Sequence, residues 1–128
     1  MTPLMIAGTE RAPHIAFDFE KNSFRIAGES YPEDVTLFFS PVIEALETHL
    51  KTNGTAPVRF EFELIYFNSS SAKAIMTIME ILDAAAKDGA QVDVFWFYDA
   101  EDDTMEELGE EFGEDLEHAT FHLKEMAT

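Results

Sequence analysis

The stretch that decides the fold is VRFEFELIYFNSSSAKAIMTIMEILDAAAK, residues 58–87. In its first part, apolar side chains alternate with Arg and Glu, which is the period of a β-strand with one buried face. Ile65 and Phe67 then make the second face apolar, so we expect this strand to end buried. From Ser71 to Lys87, apolar residues recur at the spacing of a helix that packs on a sheet. The stretch therefore predicts a strand, a polar junction and an amphipathic helix.

The same two periods predict the remaining elements of the chain. Strands are expected at residues 14–20, 23–27, 58–67, 92–98 and 119–124, and helices between Glu33-Asp34 and Asn53-Gly54, at residues 71–87 and within the acidic segment 99–117. In the first helix, either Pro41 kinks the helix, or Ser40 caps a second helix that Pro41 begins. The order ββαβαβαβ predicts one α/β domain over residues 1–128, in which amphipathic helices pack on a mixed sheet with right-handed crossovers.

The charge of the chain narrows the class of partner. The formal net charge is -18, from 26 acidic and 8 basic side chains, and the Lys and Arg residues form no cluster. Nucleic acids and anionic membrane surfaces are bound through such clusters, so we exclude both as partners. A protein with a basic patch is the natural complement. The hydrophobic fraction of 46% and twelve Phe residues are enough for a packed core.

The sequence lacks the features of most metal, cofactor and catalytic sites. It has no Cys, no apolar run of about 18 residues and no secretory signal at its start, so we expect a cytoplasmic protein. A calcium loop is suggested by the acids of residues 99–103, but the required Gly and final Glu are missing. Neither a Gly-x-Ser-x-Gly elbow nor a phosphate-binding Gly loop is present. The four histidines are dispersed: His14, His49, His118 and His122. We therefore predict no metal, no cofactor and no catalytic residue.

The polar junction Asn68-Ser69-Ser70-Ser71 is the best candidate for chemistry. It lies where a strand meets a helix, a place where α/β sheets often carry functional groups. Backbone amides at a helix start lack partners, so they can hold a phosphate attached to a nearby hydroxyl. Asn and Ser are also favoured helix caps, so a purely structural role remains an alternative. Lys73, in the first turn, either contacts a phosphate or is a solvated surface residue.

Three blocks of the sequence resemble the SiaC-type regulatory phosphoproteins. They are Gly-Glu-Ser-Tyr-Pro-Glu at residues 28–33, the run from Tyr66 to Lys73, and Trp-Phe-Tyr-Asp at residues 96–99. The resemblance extends over nearly the whole chain in the same order. It implies a fold similar to STAS domains, the anti-sigma-factor antagonists that are switched by phosphorylation at a helix start.

The resemblance also implies partners and site residues. Family members are modified by a dedicated kinase and restored by a PP2C-type phosphatase, and the unmodified form activates a diguanylate cyclase in cyclic-di-GMP signalling. The acceptor hydroxyl follows the Asn of the motif, which is Ser69 here, with Ser70 and Ser71 as alternates. The expected partner-binding surface consists of Gly28, Glu29, Ser30, Tyr31, Pro32, Glu33, Asn68, Ser69, Ser70 and Lys73. A constitutive interaction scaffold and a small Ser-dependent hydrolase remain alternatives, and the oligomeric state stays open.

Overall fold

A computed structural model describes residues 2–126, which form six strands and three helices. In chain order these are β1 Leu4–Ile6, β2 His14–Asp18, β3 Ser23–Ser30, α1 Val35–Lys51, β4 Val58–Phe67, α2 Ser69–Lys87, β5 Val92–Asp99, α3 Asp103–Glu114 and β6 Thr120–Met126. The predicted mixed α/β architecture is confirmed, and the structure adds one strand, β1, before the predicted order. Three residues are too few to show a period in the sequence. No helix in residues 2–126 has the length and apolar content needed to cross a bilayer.

The six strands form one sheet in which every strand lies beside its neighbours in the chain. β1, β2 and β3 are antiparallel to one another, and β3 to β6 are parallel. Right-handed crossovers between parallel strands laid in sequence order place the connecting helices on the same face of the sheet. One hydrophobic cluster accordingly joins buried residues of the four strands β2 to β5 to residues of all three helices. The other face of the sheet carries polar and partly exposed side chains, such as Arg25 between Glu61 and Glu63.

Aromatic side chains fill the core between the sheet and the helices. Phe17 meets Phe24 edge-on with ring centroids 5.2 Å apart, and Phe62 lies 5.4 Å from the Trp96 ring. Phe60 contacts both Phe17 and Phe62, so the rings form a continuous row across β2 to β5. Phe has no polar atom that would need a partner in such a core.

The end of β4 departs from the predicted alternation because of a β-bulge. Gly28 pairs with Leu64 and Glu29 pairs with Tyr66, so Ile65 is an extra residue in β4. The expectation that this strand ends buried is wrong, since Ile65 is 67% exposed and Tyr66 is 50% exposed. Gly28 adopts a positive φ of 102°, which glycine tolerates, and β3 continues through it to Ser30.

Helix α1 is continuous and contains Pro41 in its interior. Asp34 caps the helix, accepting a hydrogen bond from the Leu37 N–H at 3.0 Å. One helix then runs through Pro41, so the alternative of a second helix capped by Ser40 is wrong. The buried residues are Phe39, Val42, Leu46 and Leu50. Leu37 is 75% exposed, and Phe39 is buried in the core.

Helix α3 packs on the sheet through two glycines. Within the acidic segment the helix is Asp103–Glu114, with Asp102 as its cap. A Cβ added to Gly109 would lie 2.4 Å from the Trp96 ring, and one added to Gly113 would lie 2.5 Å from Phe121. Such distances are below van der Waals contact, so glycine at both positions is what allows α3 to approach the sheet this closely.

Candidate functional site

The polar junction begins α2, two residues earlier than predicted. Asn68 caps the helix, and its side-chain oxygen accepts a hydrogen bond from the Ser71 N–H at 2.8 Å. A helix start leaves its first amides without intrahelical partners, and this bond satisfies one of them. The amides of Ser69 and Ser70 point out of the same helix start, where the helix dipole also favours negative charge.

The three serines occupy two different environments. Ser69 and Ser70 are exposed, whereas Ser71 is fully buried. The Ser71 hydroxyl accepts a hydrogen bond from the Ser30 hydroxyl at 2.8 Å. The prediction of Ser71 as an alternate phosphorylation site is therefore corrected, because its hydroxyl is buried out of reach of a kinase in the folded chain. Asn68 and Ser71 make the structural hydrogen bonds of the junction, whereas the hydroxyls of Ser69 and Ser70 are exposed to solvent.

The Gly28–Glu33 block lies beside the junction, as the sequence-based site required. Ser30 pairs with Phe67, and its carbonyl accepts a hydrogen bond from the Asn68 N–H at 3.1 Å. The side chain of Ser30 is only 1% exposed, so its predicted contact with a partner is corrected to an internal contact with Ser71. Gly28 lies farther down β3, opposite Leu64.

Tyr31 and Glu29 lie close to the exposed end of β4. The Tyr31 ring meets the Tyr66 ring edge-on, with centroids 5.7 Å apart. The Tyr31 N–H donates to the Arg11 carbonyl at 2.6 Å, which fixes the chain as it leaves β3. Glu29 is the pairing partner of Tyr66 across the bulge. This arrangement gives the site an aromatic edge that projects from the sheet.

A groove between α1 and α2 contains half of the ten predicted partner-binding residues. It has a volume of about 1150 Å³ and includes Pro32, Glu33, Asn68, Ser70 and Lys73 in its lining. The α1 side of this α1–α2 groove is contributed by residues that sequence reasoning did not assign to the site: Leu37, Phe38 and Ile43. Three consecutive apolar residues at 37–39 were the available signal, because a helix cannot bury all three on one face.

Two histidines that could serve as bases have hydrogen-bond partners away from the serine junction. In residues 2–126, His49 Nε2 is 2.5 Å from Asn22 Oδ1, and His122 Nε2 is 2.9 Å from Asp93 Oδ1. Neither of these two histidines hydrogen-bonds to the serines of the junction. Two acids of the 99–103 segment make local hydrogen bonds, since Asp99 accepts from the Glu101 N–H and Asp102 accepts from the Met105 N–H.

Known proteins share the sequence pattern and the fold of this chain. The family model described as SiaC family regulatory phosphoprotein matches residues 6–126. An uncharacterized protein of Pseudomonas aeruginosa strain UCBPP-PA14 is 37% identical over 115 residues, which is 90% of each chain. The structure of SiaC of Pseudomonas aeruginosa superimposes with a TM-score of 0.90 and 35% identity, over 98% of this chain and 100% of that one.

A second solved structure contains a partner. It is the crystal structure of the diguanylate cyclase SiaD in complex with its activator SiaC, from Pseudomonas aeruginosa. The match has a TM-score of 0.90 and 35% identity, and it covers 96% of this chain and 99% of that chain. The family model and both solved structures span nearly the whole sequence, including the serine junction and the α1–α2 groove. This chain belongs to the SiaC family of regulatory phosphoproteins.

Proposed function

We propose that this chain is a phosphorylation-switched regulatory protein whose unmodified form binds and activates a diguanylate cyclase. The observation that carries the proposal is the pair of exposed hydroxyls, Ser69 and Ser70, at the start of α2 beside the α1–α2 groove. The solved complex of a SiaC protein with the diguanylate cyclase SiaD supports the choice of partner. The chain would act by binding, without catalysis of its own.

Ser69 is the proposed acceptor, with Ser70 as the alternate. Asn68 caps α2 and Ser71 holds Ser30, so the fold needs neither of the exposed hydroxyls for these bonds. If the junction were only a cap, two exposed serines would be superfluous to it. A partner kinase would bring the ATP, because the sequence has no phosphate-binding Gly loop. A phosphoserine on this exposed turn would also be accessible to a PP2C-type phosphatase.

The phosphate would change the docking surface in two ways. It adds about -1.5 to -2 charges near neutral pH, beside a groove that contains Glu33, in a protein that already carries an excess of acid. It also stays hydrated, so a partner that covers the apolar α1 side of the groove would have to bury or displace it. The helix amides, and Lys73 one turn along α2, would hold the phosphate at this place. The added charge and the hydration of the phosphate both disfavour binding of the partner.

The experiment is to incubate the chain with its cognate kinase and ATP, and to map the product by mass spectrometry. We expect phosphate on Ser69, with loss of that product in Ser69→Ala and its retention in Ser70→Ala. Phosphate found only outside the serine junction contradicts the assignment.

A companion binding assay separates the switch from a constitutive scaffold. Ser69→Ala should bind the diguanylate cyclase as the unmodified chain does, and Ser69→Asp should bind more weakly because it adds one negative charge. Equal affinities of the two variants would favour the scaffold.

A further inference from the structure

A second groove lies between the C-terminal half of α2 and the end of α3. Its volume is about 310 Å³, and its apolar lining consists of Met76, Met79, Ala84, Phe112 and Leu116. Met76 is 45% exposed, so a large apolar side chain on this helix faces solvent. We call this feature the α2–α3 groove.

The groove is left open by the way α3 sits on the sheet. Gly109 and Gly113 bring α3 against Trp96 and Phe121, so the helix is drawn toward β5 and β6 instead of toward α2. The Phe112 ring contacts Trp96 and Phe67 and forms one wall of the groove. The gap between the two helices is therefore built into the packing.

The rim of the groove is mainly acidic. Its charged residues are Glu80, Asp83, Asp115 and Glu117, together with Lys87 and His118. The adjoining segment 99–117 contains no Lys or Arg, and acids occupy more than half of its positions. The last turn of α3 has no basic residue, although the negative end of a helix dipole favours one. This charge distribution does not favour the fold by itself, but it complements a cationic partner.

One end of the groove is held in place by Asp83. A single carboxylate oxygen of Asp83 accepts three backbone hydrogen bonds, from the N–H groups of Glu117, His118 and Ala119, at 2.8–3.1 Å. Partial burial raises the pKa of the Asp83 carboxyl, but the three donors outweigh that effect and hold its pKa below the usual value. The chain that follows α3 is thereby tied to α2, and the groove is preformed.

We propose that the α2–α3 groove docks a basic amphipathic helix of a partner protein. Apolar side chains of that helix would contact Met76, Phe112 and Leu116, and its Lys or Arg residues would face the acidic rim. Met76 lies about 10 Å along α2 from Ser69, at 1.5 Å per residue. No residue of the serine junction lines this groove, so we expect its occupation to depend little on phosphorylation there.

The probe is a synthetic helical peptide with Leu at positions i, i+3, i+4 and i+7 and Lys at the others, and its control replaces Lys by Glu. Binding is measured by calorimetry, and the contacted residues are located by NMR shifts. Met76→Asp removes the apolar contact, and Met5→Asp adds the same charge at an exposed methionine on β1 that lines neither groove. Glu80→Lys is a second variant, on an exposed rim position that does not affect the core.

We expect shifts around Met76, Phe112 and Leu116, and no binding of the Glu peptide. Met76→Asp should weaken binding at least about tenfold, and Glu80→Lys should weaken it severalfold. Met5→Asp and Ser69→Asp should change the affinity by less than about twofold, as expected for sites outside the contact.

Three results would overturn the proposal. The first is an equal loss of affinity in Met76→Asp and Met5→Asp, and the second is a set of shifts spread over the whole acidic surface. The third is a dimer of the parent chain that dissociates in Met76→Asp, because a second copy of the chain would then occupy the groove. A changed affinity in Ser69→Asp would refute the independence of the two surfaces while leaving the proposed switch intact.

Discussion

Removal of the Ser71 hydroxyl is predicted to destabilise the chain, although the same change at Ser69 is harmless. In Ser71→Ala the Ser30 hydroxyl, which is 1% exposed, loses its acceptor at 2.8 Å. A buried polar group without a partner costs about 1–3 kcal/mol, so the free energy of unfolding should fall by that amount. Ser69→Ala and Ser70→Ala remove exposed hydroxyls and should change it by less than about 0.5 kcal/mol.

The assay is urea unfolding of the three variants and the parent chain, with the m-value checked for constancy. The double variant Ser30→Ala with Ser71→Ala removes both members of the pair, so no hydroxyl is left without a partner. Its loss should be smaller than the sum of the single losses, by about 1 kcal/mol. The reasoning is refuted if Ser69→Ala lowers the free energy of unfolding as much as Ser71→Ala does. It is also refuted if the losses of Ser30→Ala and Ser71→Ala add without coupling in the double variant.

Two further predictions concern α3 and its connection. Gly109→Ala should destabilise the chain by about 1–3 kcal/mol, because the new methyl group would lie 2.4 Å from Trp96. This is opposite to the usual gain of stability when Ala replaces Gly in a helix. Thermal unfolding tests the sign of the stability change, with Thr48→Ala as the control at an exposed helix position. Asp83→Asn should cost about 1 kcal/mol at pH 7, where the ionised carboxylate holds residues 117–119. The pKa of Asp83 is depressed in the folded chain. Its contribution to stability is therefore complete above the ordinary carboxyl pKa of about 3.9 and is lost as the pH falls below that value. The unfolding curves of the parent chain and of Asp83→Asn should converge in acid. A difference that persists unchanged below pH 3 contradicts that role.

Much of the fold follows from local periodicity. The alternation in residues 58–67 predicts β4 with the bounds that the structure has, because each side chain of a half-buried strand reports its own face. The helix after it is predicted from apolar spacing, and its start is two residues too late because Ser69 and Ser70 are polar and carry no periodic signal. The acid-rich α3 is predicted for the same reason, from its apolar stripe.

The parts that could not be predicted depend on contacts between distant residues. Ser30 and Ser71 are 41 residues apart, and only the folded sheet brings their hydroxyls together. The bulge that exposes Ile65 depends on how β3 and β4 pair, which single-strand periodicity does not contain. Gly109 likewise looks like a weak point in an isolated helix, and its purpose appears only against Trp96.

The central claim is that a phosphate at the start of α2 decides whether the output partner binds. The most direct measurement compares the affinity of the unmodified chain and of the homogeneous Ser69-phosphorylated chain for the cognate diguanylate cyclase by calorimetry, with cyclase activity recorded on the same samples. We predict that phosphorylation weakens binding at least about tenfold, which corresponds to roughly 1.4 kcal/mol, and that activation falls with it. Equal affinity of the two forms, with equal activation, would contradict the account.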